Sequence, residues 1–289
     1  MTDLRPEVIE ALLEFQRSEI TEHNIYLSLA RRLSGENRKV LEGIAEDELR
    51  HYSILRKYTE REVKPDGKRI LLYSALARIF GVTFAIKLME RGEELAQEEY
   101  GRLMNDIQEV ATILQEEERH EDKLIELLRE ERVEYVGSIV LGLNDALVEL
   151  TGALAGLTLA LQNTRLIGMA GLVMGVAASL SMAASEYLSR RSERMGNPLR
   201  GALYTGVTYV MTVALLVSPF MTPLDPYMAL ASMLGIAVTI IGIFSFFVSV
   251  VKDQPFARIF LEMLAISFGV ALVSFAVGWI VRVAFGVEV

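Results

Sequence analysis

The chain has 289 residues, no cysteine, 52% hydrophobic residues and a formal net charge of −9 at pH 7. Its acidic balance argues against nucleic acid, since phosphate binding needs a surplus of Lys and Arg. Without cysteine there is no disulfide framework, no cysteine-ligated metal and no thiol nucleophile. The charge is unevenly spread: residues 1–135 hold 21 Lys+Arg against 30 Asp+Glu, residues 136–289 hold 8 against 8, and all three histidines lie in the first part. This asymmetry predicts two domains in different solvents, 1–132 and 133–289. The opening MTDLRPEVIEALLEF is acidic and amphipathic without an apolar core segment, so it does not read as a secretory signal.

The first domain reads as helices throughout. Residues 6–33 carry apolar side chains three and four apart (Val8, Ile9, Leu12, Leu13, Phe15), and Ser34-Gly35 is a turn. A second helix is predicted over 36–63, stopping near Pro65-Asp66-Gly67. A third ends near Met104 and a fourth covers 107–132. Glu48 and His51 stand three apart on the second helix, as do Glu117 and His120 on the fourth, so each pair shares a helix face. Two such ExxH pairs, each complemented by a Glu from another helix, make the di-iron or di-manganese carboxylate pattern of a four-helix bundle. If the first two helices fold back near position 33.5, Glu19 lies level with Glu48; if the last two fold back near 105.5, Glu94 lies level with Glu117. Glu90 and Glu98, a turn away, compete with Glu94. The set Glu19, Glu48, His51, Glu94, Glu117 and His120 suits Fe2+ or Mn2+ at a di-metal site, and no nucleotide or haem is expected. His23, four residues after Glu19, reads as a solvated or capping histidine, with a supporting role at the metal as the alternative.

Between the second and third bundle helices lies RILLYSALARIFGVTFAIK, Arg69 to Lys87, whose only charges are positive. An apolar helix with a few cations is the pattern of an element lying on an anionic membrane surface. Residues near 69–80 are therefore expected at the cytoplasmic interface, tethering the bundle, and beyond Gly81 a third bundle helix buried against its neighbours is the alternative. A membrane span is the rival reading, but it would place Arg78 near the bilayer centre at a cost of about 2.5–3.5 kcal/mol. It would also separate Glu48 and His51 from Glu117 and His120.

The second domain contains five apolar stretches of membrane-crossing length, near 136–161, 166–189, 199–219, 227–250 and 259–284. Arg190, Arg191, Arg194 and Arg200 fall in the second connection, and Lys252 and Arg258 in the fourth. The positive-inside rule puts those connections, and the N-terminal domain, in the cytoplasm and the C-terminus outside. The fold class is accordingly all-α, a cytosolic bundle followed by five transmembrane helices, in an integral protein of a prokaryotic cell membrane. Ionisable residues at bilayer depth are functional candidates by default, here Asp145, Glu149, Glu186 and Glu262, the last reading better as a helix-end ion pair with Arg258 four residues before it. Asp145 and Glu149 share a face, as do Met182 and Glu186, and a carboxylate beside a thioether suits transient binding of a borderline divalent metal. Gly152/Gly156 and Gly171/Gly175 form two GxxxG spacings that permit close helix approach, for packing or dimerisation.

Two resemblances follow from these residues. Glu19 with Tyr26, Glu48-Leu49-Arg50-His51 and Glu117-Glu118-Arg119-His120 resemble the ferritin-like domain of the rubrerythrin group over about residues 8–132. The third helix departs from that pattern in its Glu-to-Tyr spacing before Tyr100, and there is no Cys-rich rubredoxin module. Residues 141–148 (LGLNDALV) and 179–189 (SLSMAASEYLS) resemble the vacuolar iron transporter family over about residues 133–287. That resemblance implies a homodimer in which the first-span aspartate and second-span methionine line a path for Fe2+, with export of Fe2+ or Mn2+ from the cytosol in exchange for protons. A carboxylate that some members place eight residues before the motif methionine corresponds to Met174, and the connection after the second span is short, with the N-terminal bundle in place of a Glu-rich insert. The expected function is thus a divalent-metal exporter whose cytosolic bundle captures, senses or oxidises the metal. The alternatives are a diiron oxidase for which the spans are only an anchor, and an assembly module. Asp145 separates the first alternative, since an anchor has no reason to keep a carboxylate inside the membrane.

Overall fold

The computed structural model describes residues 5–103, 107–127 and 135–285, and the side chains of these except 93–103, 108, 118, 121–123, 125–127 and 285. The described residues form helices and no strands, in two compact units, Met1–Glu130 and Glu131–Val289.

The first unit contains α1 (Pro6–Ala30), α2 (Gly35–Thr59), α3 (Gly67–Phe80), α4 (Val82–Leu103) and α5 (Gln108–Leu127). Pro6 opens α1, where its missing N–H is harmless. Helix α2 stops when Glu60 takes a left-handed conformation (φ 51°), and Asp66 caps α3 by accepting from the Lys68 and Arg69 amides. Helices α1 and α2 pack side by side, and α4 packs with α1, α3 and α5. Two apolar clusters flank the midsection of the unit. One gathers Ile25, Leu29, Leu41, Ile44, Ile86 and Met89; the other gathers Leu12, Phe15, Leu55, Val110 and Ile113. The apolar stretch 69–87 is broken at Gly81 (φ 100°), which separates α3 from α4.

The second unit contains α6 (Val136–Leu161), α7 (Thr164–Glu193), α8 (Pro198–Val217), a 3-10 turn (Ser218–Met221), α9 (Pro226–Val251) and α10 (Phe256–Phe285). Among the described residues these five helices are long and apolar enough to cross a membrane. Asn163, Asn197 and Asp225 cap the starts of α7, α8 and α9, so each connection ends in a side chain that satisfies the next helix's free amides. Helix α6 contacts each of the other four. Glycine makes that possible: a Cβ at Gly142 would overlap the Thr205 carbonyl oxygen of α8, and one at Gly278 of α10 would overlap the Gly156 carbonyl of α6. The two GxxxG pairs are used inside the chain. Gly152 and Gly156 face Val270 and Ser274 of α10, while Gly171 and Gly175 face Leu154 of α6 and Val213 of α8.

Gly142→Leu should therefore destabilise the second unit by about 1–3 kcal/mol or more through overpacking. Gly235→Ala, at a position with open space around it, should leave it unchanged. Thermal unfolding of the two variants in detergent distinguishes them.

Candidate metal centre

At the middle of the first unit, α1 supplies Glu19, α2 supplies Glu48 and His51, and α5 supplies Glu117 and His120. All five side chains are buried. The ligand atoms of Glu19, Glu48, His51 and Glu117 lie within 4.8 Å of one another, so this buried group could hold a metal ion. His51 Nδ1 stands 3.3 Å from Glu19, 3.6 Å from Glu48 and 3.0 Å from Glu117. His120 Nδ1 stands 3.4 Å from both Glu48 and Glu117. The two rings are stacked, with centroids 5.9 Å apart.

Both Nδ1 atoms, Glu19 Oε2, Glu48 Oε2 and Glu117 Oε1 are buried without a hydrogen-bond partner. Buried polar atoms are nearly always paired, and a cluster of five orphans that converge is best explained by a cation they would share. The donor set of carboxylate oxygen and imidazole nitrogen fits Fe2+ or Mn2+.

The outer ring nitrogens are fully engaged. His51 Nε2 lies 2.8 Å from Glu116 Oε2, and His120 Nε2 lies 3.0 Å from Asp47 Oδ2. Each acidic residue precedes a central glutamate and reaches the histidine of the opposite helix. An Nε2–H donated to a carboxylate leaves Nδ1 free as a ligand, raises its basicity and fixes the ring plane. Arg50 joins the two acids, at 2.7 Å from Asp47 and 3.0 Å from Glu116. The sequence reading missed Asp47, Glu116 and Arg50. The signal was present, because both motifs are acid-Glu-x-x-His.

The carboxylates set the protonation of the cluster. Burial opposes charge on His51 and His120, yet the facing carboxylates, Glu117 first in each case, outweigh it. They raise His51 far above the usual histidine range and His120 to about 10. Burial alone would push Glu48 up, but the facing imidazoles of His120 and His51 hold it at about 2. Glu19 is raised, by burial and then by the Glu48 charge. Glu22, one turn on, is pushed up to about 8 by burial and Glu48, against the pull of Arg69. Protons on the imidazoles thus stand in for the cations.

Of the third-helix candidates, Glu90 accepts from the buried Tyr26 hydroxyl at 2.5 Å, which places it beside α1 near Glu22. Glu94 and Glu98 belong to α4, but their side chains lie outside the described residues. His23 is not at the cluster; its Nδ1 donates to the Ala45 carbonyl at 2.6 Å and ties α1 to α2.

In the second unit, Asp145 and Glu149 occupy one face of α6, and Glu149 accepts from Tyr209 of α8 at 2.6 Å. The neighbouring Asn144 has a buried, unpartnered Oδ1. Met174 is partly exposed on α7, and Met182 packs against the apolar core. Glu186 Oε1 accepts from Arg190 Nε and Ser138 Oγ, both at 2.6 Å. Arg190 is itself buried, lies 4.8 Å over the Tyr135 ring and crosses Gly201, whose missing side chain leaves room for it. These helices carry the pattern that a family comparison detects. Residues 136–196 match the VIT family. No curated protein and no solved structure matches the chain. The VIT segment covers α6, α7 and their connections, and holds Asp145, Glu149, Met174, Met182 and Glu186.

Removing an outer-shell partner of a metal ligand typically costs about 10–100-fold in affinity. Asp47→Ala and Arg50→Ala should each weaken Mn2+ binding on that scale, read by titration calorimetry, while Arg38→Ala on the exposed face of α2 should not. Because bound metal must displace protons from His51 and His120, affinity should fall steadily as pH is lowered from about 10, where His120 takes up its proton, and binding should release protons in buffers of differing ionisation enthalpy.

Proposed function

We propose that the chain is a membrane transporter that exports Fe2+ or Mn2+ from the cytosol, and that its first unit is a ferritin-like di-metal domain that captures, senses or oxidises the metal. The observation that carries this reading is the VIT match over α6 and α7, in a segment that keeps Asp145 and Glu149 on a helix of membrane-crossing length. A carboxylate at bilayer depth is expensive and serves a cation path better than an anchor, which disfavours the anchored oxidase.

In this reading the first unit faces the cytoplasm and the C-terminus lies outside, because the arginines after α7 and Lys252 and Arg258 after α9 mark the cytoplasmic side. The Glu186–Arg190 pair then sits at the cytoplasmic end of α7, where an entering divalent cation competes with the guanidinium for the carboxylate. Tyr209 orients Glu149 by donating to it, which leaves Asp145 the freer anion on that face. Met182 tunes preference toward softer cations. Protons serve as the counter-ion and two copies assemble as a homodimer.

In the first unit Glu19, Glu48, His51, Glu117 and His120 would hold the metal, with a third-helix glutamate, Glu94, Glu90 or Glu98, completing the set. Iron there would supply one-electron chemistry with O2, and manganese or iron alike would supply a reservoir of bound cation. The protein's own residues fix the imidazoles through Asp47 and Glu116 and exclude water with the apolar clusters on either side.

The test is metal flux into proteoliposomes with Fe2+, Mn2+, Co2+ and Zn2+. Asp145→Ala should abolish flux in a protein that remains folded, and wild-type flux in that variant would defeat the assignment. Met182→Ala should retain flux with an altered order of metals. Deleting residues 1–132 should reduce capture or regulation more than maximal flux, since each unit has its own core. In the intact protein, anomalous scattering at the iron or manganese edge should show two ions between the ligands, about 3.5–4 Å apart.

A further inference from the structure

Among the described residues of the first unit, the exposed large hydrophobics are Leu49, Leu71, Leu72 and Ile79, and the last three all lie on α3. They are 72%, 53% and 67% exposed, values that a water-facing helix of fourteen residues has no reason to carry together. Spacing decides the face. Lys68, Leu71, Leu72, Ala75, Arg78 and Ile79 recur at helical intervals on the outer side. Ile70, Tyr73, Leu76 and Ala77 pack inward against the apolar cluster, and Ser74 meets Ser28 of α1 at 2.8 Å. The helix therefore has one face held by its own unit and a second apolar face that its unit leaves uncovered.

The charge on α3 says what covers that face. The helix carries Lys68, Arg69 and Arg78 and no acidic residue, within a half of the chain in which acids outnumber bases by 30 to 21. Arg69 is turned toward Glu22 and Ser18 of α1, while Lys68 and Arg78 are exposed with the leucines and isoleucine. Arg32, in the turn after α1, adds a cation beside the same helix, donating to the Ser74 carbonyl at 3.3 Å. Leucine and isoleucine flanked by cations match an anionic lipid surface, with the apolar side chains below the headgroups and the ammonium and guanidinium groups among the phosphates. A second copy is a poorer occupant, because a two-fold contact between these faces would bring like charges together. The same chain supplies the bilayer, its first candidate span beginning at Val136.

We propose that the outer face of α3 is a membrane-docking surface for anionic phospholipid, with Leu71, Leu72 and Ile79 inserted and Lys68 and Arg78 contacting headgroup phosphate. This lies beyond the transport reading and holds whether or not the chain moves metal. Docking of this kind is sensitive to lipid charge, so the position of the metal-binding unit responds to membrane composition.

The chain contains no cysteine, which makes single-site nitroxide labelling direct. Full-length protein labelled at Leu72→Cys, Ile79→Cys or, as control, Arg38→Cys is reconstituted in nanodiscs of phosphatidylcholine with and without phosphatidylglycerol. Power-saturation electron paramagnetic resonance then compares access to lipid-soluble oxygen and to a water-soluble nickel chelate. With anionic lipid, labels at 72 and 79 should show an oxygen-to-nickel ratio several-fold above that at 38. The ratio should drop in phosphatidylcholine alone and in the background Lys68→Glu/Arg78→Glu. Nickel access at 72 and 79 equal to that at 38 would overturn the proposal. So would exclusion of both reagents regardless of lipid, which would identify a protein surface such as a second copy. Circular dichroism of each labelled protein checks that the helix content is retained.

Discussion

A carboxylate taken out of water must be matched by a cation or a donor, and this requirement organises both halves of the chain. In the first unit Glu19, Glu48 and Glu117 converge from three helices with almost no solvent contact. Their mutual repulsion would drive the helices apart if nothing positive stood among them. Positive charge on His51 and His120 meets the need, and a divalent cation could meet it as well, since the ligand atoms of Glu19, Glu48, His51 and Glu117 lie within 4.8 Å of one another. The apolar clusters above and below keep water from dissolving the arrangement. Asp47, Glu116 and Arg50 form a second layer that repeats the logic outward: acid on imidazole, guanidinium on both acids.

The second unit meets the same requirement with fewer charges. Glu149 is satisfied by a neutral donor, Tyr209, which removes the need for a counter-charge at that depth. Glu186 is satisfied by Arg190, and Arg190 in turn by Ser138 and the Tyr135 ring. The cluster depends on backbone proximity, since Arg190 lies where a side chain on Gly201 would be. Close approach at Gly142 is therefore part of the electrostatic design: it brings α8 near enough to α6 for the Tyr209 hydroxyl to meet Glu149.

Much of this could be read without coordinates. The apolar stretches stand out because crossing a bilayer imposes a minimum length and a near-absence of charge, both local properties of sequence. The two ExxH pairs stand out because a spacing of three fixes two side chains on one helix face whatever the helix later packs against. The partners of the histidines' outer nitrogens were harder to see. Asp47 and Glu116 look like ordinary surface acids on Glu-rich helices, and their role appears only when each is found against a ring on the other helix. Glu186 shows the converse. Its spacing from Met182 suggested a shared ligand face, whereas Arg190, equally one turn away, holds its Oε1.

Sequence by itself determined that the chain is helical, that its net charge is confined to the first half, that five helices can cross a membrane and which side chains are of a type that could bind metal. These are consequences of composition and of the 3.6-residue period. The tertiary structure decided which of those residues meet. It turned the histidines' Nδ1 atoms inward and gave their Nε2 atoms to Asp47 and Glu116, and directed the glycine pairs to contacts inside the chain. Such outcomes depend on contacts between residues tens of positions apart, so they are fixed by how the helices pack and by the cost of leaving a buried polar atom unpaired, and no local pattern encodes either.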